Sequence, residues 1–195
     1  IKNINNFVQK DKKKNSYRAI IAPPFTLLHD FSKFFSQKKI GIAAQNCFHK
    51  DGFSSDTGSI SALMIRNLGI KNIIIGHSDN RAQGDDNRIL SLKINHALSN
   101  NLKIIFCIGE NLKEKKLKKT KKVIQHQLKT VLSNDKIDKK KIIVAYEPIW
   151  SIGTGLIPSS QEILEVNSFV KKYLWKKKKL KKLAFCMGDL FHLKT

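Results

Sequence analysis

The residues of this sequence that are best suited to chemistry lie in one stretch, residues 145–155. Its carboxylate, Glu147, follows residues 142–145, an apolar run that is short and β-branched enough to predict a buried strand. Pro148 ends that strand, and the two glycines that follow let backbone N–H groups approach an anion. Glu-Pro alone would fit an ordinary corner between a strand and a helix. The whole stretch predicts an active site with a base, a rigid hinge and a glycine-bearing flap.

A histidine follows a second predicted strand. His77 comes two residues after the apolar segment 73–75, so we expect it at the start of the next helix. The positive end of a helix dipole favours the neutral imidazole there, and a neutral imidazole can donate a hydrogen bond to a carbonyl. A lone histidine is more often a packed or surface residue. Paired with Glu147 at another strand end, His77 becomes half of an acid–base couple.

These side chains need a frame that brings strand ends together, and the rest of the pattern predicts one. The predicted strands are residues 18–22, 40–44, 71–75, 102–108 and 142–145. The predicted helices are residues 1–8, 27–35, 60–68, 89–98, 115–132 and 160–174, the last capped by Ser159 or Ser160. Such alternation favours an α/β fold with a parallel sheet, either doubly wound or closed as a barrel. No G-x-G-x-x-G follows a strand, which disfavours a dinucleotide-binding domain.

The composition predicts a single domain with a strongly basic surface. With 195 residues and 41% hydrophobic side chains, the chain can build one sizeable core. Its formal net charge is +22. The lysine runs lie in residues 113–122, 139–141, 171–172 and 176–182. This charge would suit a nucleic-acid or anionic-surface binding protein, but we favour solvated helix faces because no recognition motif or aromatic platform accompanies it.

The cysteines and the apolar runs bear on the compartment. Cys47, Cys107 and Cys186 are odd in number and widely spaced, which is typical of a reduced, cytoplasmic protein. They show no metal-ligand spacing, and we expect neither a metal nor a cofactor. No run is long enough for a membrane span, and the first residues do not resemble a signal peptide. The chain begins without Met, so we expect further residues before Ile1.

Four motifs together resemble the triosephosphate isomerase family. They are Ala44-Gln45-Asn46-Cys47, Ile75-Gly76-His77-Ser78-Asp79-Asn80-Arg81, Cys107-Ile108-Gly109-Glu110 and residues 145–155, in the order and spacing of that family. The resemblance spans residues 1–183, and the last motif is highly specific. It implies a TIM (β/α)8 barrel that is incomplete, with about strands two to six and their helices. A whole barrel takes ~250 residues.

The resemblance also implies the interconversion of dihydroxyacetone phosphate and D-glyceraldehyde 3-phosphate, in glycolysis and gluconeogenesis. Glu147 would move a proton between adjacent carbons through an enediolate, and His77 would polarise the carbonyl. Gly153 would bind the substrate phosphate, and Thr57 would reach the neighbouring subunit of a homodimer. The hinge and flap would comprise Pro148, Trp150, Ser151, Ile152, Thr154 and Gly155, and the supporting residues Ser78, Asp79 and Cys107.

The sequence departs from the family pattern at several positions. Asp79, Asn80 and Ser59 stand where Glu, Arg and Glu are usual. The strand-one Asn-x-Lys motif should precede Ile1 and is absent. The tail, residues 184–195, does not resemble strand seven. Read one base earlier, permitted codons for that tail encode Ile-Leu-Tyr-Gly-Gly-Ser-Val-Ser-Pro-Lys-Asn, the family's phosphate motif, so we infer a frameshift near its start.

These departures bear on the activity of the chain by itself. We expect residues 1–195 to form a single incomplete barrel domain, weakly active or inactive alone, because half of the phosphate site is missing. Two alternatives to an isomerase stay open. One is a lysine-rich protein that binds nucleic acid or an anionic surface. The other is a catalytically dead fragment.

Overall fold

Short apolar segments of the chain form one parallel β-sheet. The computed structural model describes residues 6, 8–10, 19–35, 40–132, 138–176 and 186–187. Within these residues the strands are β1 (Ile20–Ile21), β2 (Gly41–Ala44), β3 (Asn72–Ile75), β4 (Lys103–Ile108), β5 (Ile142–Tyr146) and β6 (Cys186–Met187). The helices are α1 (Phe25–Phe35), α2 (Ala62–Asn67), α3 (Ser78–Ala82), α4 (Asn87–Ser99), α5 (Leu112–Lys116), α6 (Thr120–Leu132) and α7 (Ser160–Lys176). Short 3₁₀ turns lie at Lys139–Lys141 and Ile149–Ser151.

The order of the strands distinguishes the two α/β arrangements that the sequence leaves open. In the described part of the chain the order runs from β1 to β6 without reversal, and neighbouring strands are parallel. Right-handed crossovers in one direction place the connecting helices on one face of the sheet. A doubly wound sheet would instead reverse its order at a switch point. The structure therefore confirms the expected α/β fold, an incomplete TIM (β/α)8 barrel.

The central strands carry the core because they are apolar on both faces. Ile73 and Ile75 of β3, like Ile104 and Phe106 of β4, are fully buried. The register places Ile73 beside Ile104 and Ile75 beside Phe106. Burying one such side chain contributes about 1.5–3 kcal/mol to folding. Helix α4 packs against both strands and buries Leu90, so these central strands rest on a packed layer.

One of the helix predictions made from the sequence is wrong. The pattern of residues 115–132 predicts a single helix, whereas the structure has α5 and α6. Asn111 starts α5 early through a capping box with Glu114, with 2.9 Å for the bond in each direction. Lys118 then adopts a left-handed backbone with φ of 54°, which separates the two helices. The other helices predicted beyond residue 19 are present, with ends that differ by up to a few residues.

The two ends of the chain are described only in part. The helix predicted for residues 1–8 lies mostly outside the described residues. Of the tail 184–195, residues 186–187 form β6 and pair in parallel with β5, with Cys186 opposite Ala145. The sheet thus extends one strand beyond the five expected, although the tail does not resemble the family's strand seven. The rest of the tail lies outside the described residues.

Candidate active site

The backbone of α3 holds His77 in one tautomer. His77 is the N-cap residue of α3, just beyond the carboxyl end of β3. Gly76 turns the chain there with a φ of +81°, a conformation that favours glycine. The backbone N–H of Asp79 donates a hydrogen bond to His77 Nδ1, at 3.2 Å. A ring nitrogen that accepts carries no proton, so the proton of the neutral imidazole lies on Nε2.

Glu147 meets this histidine at the carboxyl end of the sheet. It follows β5, and 6% of its side chain is exposed. Its backbone N–H donates to the carbonyl of Ile108 at 2.8 Å, which extends the pairing of β4 with β5. His77 Nε2 lies 3.2 Å from Glu147 Oε1. The two side chains predicted as an acid–base couple are therefore in direct contact, with the imidazole N–H directed at the carboxylate.

A small cleft opens beside Glu147. It is lined by Gly76, Ser78, Arg81, Cys107, Ile108, Gly109, Glu147 and Ile149. Two of the residues expected to support the site, Ser78 and Cys107, thus lie in its wall. Asp79 contributes its backbone N–H, while its exposed carboxylate lies 3.6 Å from His77 Nδ1. The cleft places carboxylate, hydroxyl and cysteine side chains around one small space.

Gly109 permits the close approach on which the site depends. A Cβ at Gly109 would overlap the carbonyl oxygen of Glu147 and lie 2.6 Å from its carbonyl carbon. The requirement is steric, since any side chain there would displace the backbone that carries Glu147. Gly109 belongs to the motif Cys107-Ile108-Gly109-Glu110, and the sequence pattern predicted no role for it. Its position directly after β4, beside an active-site strand, is the signal that could have pointed to it.

A second buried carboxylate anchors the hinge. Glu110 is 1% exposed and accepts hydrogen bonds from Trp150 Nε1, at 2.9 Å, and from the Tyr146 hydroxyl, at 3.1 Å and 3.2 Å. Its carbonyl also accepts from the N–H of Ile149, at 3.0 Å. Burial, and then the adjacent Glu110 carboxylate, raise the pKa of the Tyr146 phenol far above its usual range. Sequence reasoning did not predict this link between β4 and the hinge.

The predicted hinge and flap leave the sheet as a tight turn followed by exposed backbone. Pro148 caps the 3₁₀ turn, and its carbonyl accepts from both the N–H and the hydroxyl of Ser151, at 2.9 Å and 2.8 Å. The Thr154 hydroxyl donates to the carbonyl of Trp150 at 2.8 Å. Gly153 and the next glycine have φ of 66° and 74° and are exposed. These glycines are not among the residues that line the cleft. Ile152 is the C-terminal cap of the 3₁₀ turn.

Arg81 closes the floor of the cleft. Its Nε donates to the carbonyl of Gly76 at 2.7 Å, and its Nη2 to the carbonyl of Cys107 at 3.3 Å. Its guanidinium also lies over the ring of Phe106, 5.7 Å from the centroid. Burial lowers the pKa of Arg81 from its usual value. Arg81 thus satisfies the carbonyls at the ends of β3 and β4, a role that sequence reasoning did not assign.

The loop of residues 45–59, predicted to reach another subunit, contributes no residue to the lining of this cleft. Thr57 lies in an exposed turn of that loop. Lys50 Nζ and Asp56 Oδ1 are 2.7 Å apart and hold the loop together. At its base, the Asn46 amide donates to Asn80 Oδ1 at 2.9 Å, so Asn80 replaces the family's usual Arg with a hydrogen bond. The structure does not bring Thr57 together with His77.

Within the described ranges, no three or more His, Cys, Asp or Glu side chains are grouped so that they could hold a metal ion. Each helix in those ranges is too short or too polar to cross a membrane.

Comparison with known proteins gives one consistent result. The family model described as triosephosphate isomerase matches residues 1–187. The triosephosphate isomerase of Bacteroides fragilis is 40% identical over 153 residues, which cover 78% of this chain and 61% of the relative. That of Phocaeicola vulgatus is 37% identical over 174 residues, covering 89% and 68%. That of Dictyostelium discoideum is 35% identical over 167 residues, covering 84% and 64%.

The chain spans 61% of the length of the Bacteroides fragilis relative. The matched region contains β1 to β6 and the whole site described above. The chain belongs to the triosephosphate isomerase family.

Proposed function

We propose that this chain carries the acid–base centre of an isomerase that interconverts dihydroxyacetone phosphate and D-glyceraldehyde 3-phosphate. The observation that carries the proposal is the contact between His77 Nε2 and Glu147 Oε1, 3.2 Å apart at the carboxyl ends of β3 and β5. Active sites of barrels of this type lie at that end of the sheet. Membership of the family and the names of the relatives support the same reaction.

The proposed chemistry moves protons and leaves the carbon skeleton intact. The Glu147 carboxylate takes the proton from C1 of dihydroxyacetone phosphate, and the C–H electron pair forms the enediolate double bond. The Nε2–H of His77 donates to the carbonyl oxygen and stabilises its developing charge. His77 then exchanges protons between the two oxygens, and Glu147 returns its proton to C2. The tautomer held by the N–H of Asp79 is the one that this step requires.

The flap completes the proposed cycle. The flap would close over the substrate, and the N–H of Gly153 would donate a hydrogen bond to the substrate phosphate. The flap consists of Ser151, Ile152, Gly153, Thr154 and Gly155. Closure would exclude water from the enediolate, which could otherwise eliminate phosphate. The positive φ of Gly153 and the open space around it support this role, because the backbone can reorient there without a side chain to obstruct it.

We further propose a homodimer in the cytoplasm, acting in glycolysis and gluconeogenesis. The exposed turn at Thr57 and the 73% exposed ring of Phe53 would give the 45–59 loop its contacts with a second subunit. Cys47 and Cys107 are buried as thiols, which fits a reducing compartment. Chemical crosslinking or sedimentation at several protein concentrations would test the dimer.

The isomerase proposal is tested by turnover of glyceraldehyde 3-phosphate at high concentrations of the purified chain. We expect slow turnover, and Glu147→Gln to reduce it by roughly 10²–10⁴, the usual contribution of general-base catalysis. Asp79→Asn is a matched control, since it changes a charge close to His77 but keeps the backbone N–H. Its turnover should stay within a few-fold of the parent.

A hybrid extends the test to a whole barrel. Residues 1–183 of this chain would be joined to the remaining segments of the Bacteroides fragilis relative. We expect the hybrid to turn over faster than the chain alone and to show the same dependence on Glu147. Turnover that is equal in the Glu147→Gln hybrid, or no turnover in the parent hybrid once it is shown to be folded, would contradict the proposal.

A further inference from the structure

One lysine of α5 contacts the hinge in a way that the proposed proton transfers do not use. Lys115 Nζ lies 3.3 Å from the centroid of the Trp150 ring. Trp150 is 7% exposed, and its indole N–H is already held by Glu110 at 2.9 Å. An ammonium over an aromatic face is attracted by the negative charge of the ring face, more strongly where water is excluded. The position of the ring is therefore set from its face as well as from its edge.

The same ammonium also contacts the element that follows the flap. Lys115 Nζ lies 2.7 Å from Glu162 Oε1, in the first turn of α7. Glu162 Oε2 in turn accepts from the N–H of Ser159 at 2.8 Å, and the Ser159 hydroxyl accepts from the N–H of Glu162 at 3.2 Å. This reciprocal cap fixes the carboxylate to the start of the helix. The hydrogen bond from Lys115 is the largest of the causes that lower the pKa of Glu162 to about 2.

Along the chain, one of the two contacts precedes the flap and the other follows it. Trp150 ends the hinge before residues 151–158, and Glu162 stands in the first turn after them. Lys115 Nζ thus joins the entry and the exit of the flap through one charged group. Its side chain is 31% exposed and that of Glu162 is 42% exposed, so salt can screen the pair and the contact can open without burying a charge.

We propose that Lys115 is a positioning residue that clamps Trp150 against Glu162 and so sets the resting position of the flap. The inference rests on the proposed function, because it takes residues 151–155 to be the segment that covers a triose phosphate. Lys115 acts through its contact with Trp150, which is not among the residues that line the cleft. Loss of the clamp changes how readily the hinge is released, while the contact between His77 and Glu147 stays in place.

The clamp is tested by the solvent access of the Trp150 ring. The chain has two tryptophans, so Trp175→Phe leaves Trp150 as the reporter. Quenching by acrylamide, which is neutral and insensitive to the net charge, is measured for Lys115→Met and Lys115→Arg. We expect Lys115→Met to shift the equilibrium between held and released ring by about fivefold, the effect of losing one cation–π contact, and to raise quenching. Lys115→Arg should restore the parent value, because guanidinium also stacks on indole.

Lys113→Met is the matched control, since it removes the same charge from an exposed position of the same helix. A second readout is the titration of Glu162, followed by carboxyl NMR. The midpoint should lie near pH 2 in the parent and in Lys113→Met, and should rise in Lys115→Met. Far-ultraviolet circular dichroism shows that each variant is folded before it is compared.

Equal quenching in the parent and Lys115→Met would overturn the proposal, as would an equal increase in Lys113→Met or a failure of Lys115→Arg to restore the parent value. The quenching and NMR measurements need no substrate. Failure of the isomerase assay would therefore leave them unaffected, and failure of the clamp would leave turnover that depends on Glu147. The two proposals can fail independently.

Discussion

At the scale of single residues, the site contains two buried carboxylates in different surroundings. Glu110 is held by Trp150 and by the Tyr146 hydroxyl, so its oxygens are engaged with the hinge. Glu147 lines the cleft and meets His77. A carboxylate already occupied by fixed donors is poorly placed to take a proton from a substrate. The surroundings therefore favour Glu147 as the base and Glu110 as an anchor, although both follow strands of the same sheet.

Tyr146 gives this arrangement a signature in alkaline solution. Burial and Glu110 raise the pKa of its phenol in the folded state, whereas the unfolded value is about 10. Below pH ~10 both states keep the proton and stability is unaffected. Above it the unfolded chain releases the proton and the native state does not, so the free energy of unfolding falls by up to about 1.4 kcal/mol per pH unit. Urea unfolding at several pH values measures this slope.

The comparison is with Tyr146→Phe, because the lysines also titrate in this range. The variant should lose less stability than the parent over the same pH interval. Ultraviolet absorbance gives an independent check, since the alkaline rise in phenolate absorbance should be equal in the native parent and in native Tyr146→Phe. An identical stability slope in the variant, or a larger absorbance rise in the native parent, would show that Tyr146 is not shielded as described.

At the scale of elements, β4 and β5 determine the position of Glu147. Their pairing continues past the last strand residues through the Glu147 N–H, and Gly109 lets the two loop starts meet. Neither the hydrogen bond of the Glu147 N–H nor the close approach at Gly109 arises within a single helix or strand. Each depends on the register of Cys107 with Ala145 and Ile108 with Tyr146. A base attached to this junction keeps its position as long as the two strands stay in register.

Gly109→Ala tests the junction. The new Cβ would overlap the Glu147 carbonyl, so we expect the free energy of unfolding to fall by about 1–3 kcal/mol or more, as in other overpacked sites. Turnover should fall as well, because the backbone that carries the base must move. Gly41→Ala is the control, since its Cβ would lie 3.3 Å from its nearest neighbours, both side-chain atoms. Urea unfolding that gives equal losses for the two variants would contradict the steric explanation.

Much of the frame could be predicted from the sequence at this scale. Apolar runs predicted β2 to β5, because buried parallel strands need apolar side chains on both faces. Polar residues at the strand ends predicted that His77 and Glu147 would lie near one another. The division between α5 and α6 was not predicted, since the left-handed turn falls on Lys118, a residue type that carries no turn signal. Asn111, a residue type that commonly caps helices, was the better sequence signal for the start of α5.

Contacts between distant elements could not be predicted in the same way. Lys115 lies in a run of lysines, and nothing in that run distinguishes it from Lys113 or Lys116. Its contact with Trp150 joins α5 to the hinge, two segments that are far apart in the sequence. Glu110 likewise reads as a polar loop residue until the rings of Tyr146 and Trp150 are seen to enclose it. Partners of this kind follow from tertiary packing rather than from local pattern.

At the scale of the whole molecule, the charge dominates. The formal net charge is +22, and exposed lysines such as Lys121 and Lys122 cover α6 on its solvent side. Charges of one sign repel within a compact state and cost stability where salt does not screen them. The surface is therefore expected to weaken the fold at low ionic strength.

Thermal unfolding at about 10 mM and about 300 mM sodium chloride measures the repulsion, since the Debye length falls from roughly 30 Å to below 8 Å between them. We expect the Tm to rise with salt by several degrees. The double variant Lys121→Glu, Lys122→Glu should raise the Tm at low salt and reduce its dependence on salt. A Tm that falls with added salt in the parent would show that attraction between charges outweighs repulsion.

The hydrogen bond from the Asp79 N–H to His77 Nδ1 has a consequence for which sequences can keep this site. The group that selects the tautomer belongs to the main chain, so the identity of the side chain at position 79 is immaterial to it. Replacing Asp79 with Glu would therefore leave the proton on the same imidazole nitrogen. Of the twenty amino acids, proline alone lacks the N–H. Mutation can therefore vary this neighbour of His77 while the imidazole proton stays on Nε2, the nitrogen that faces Glu147.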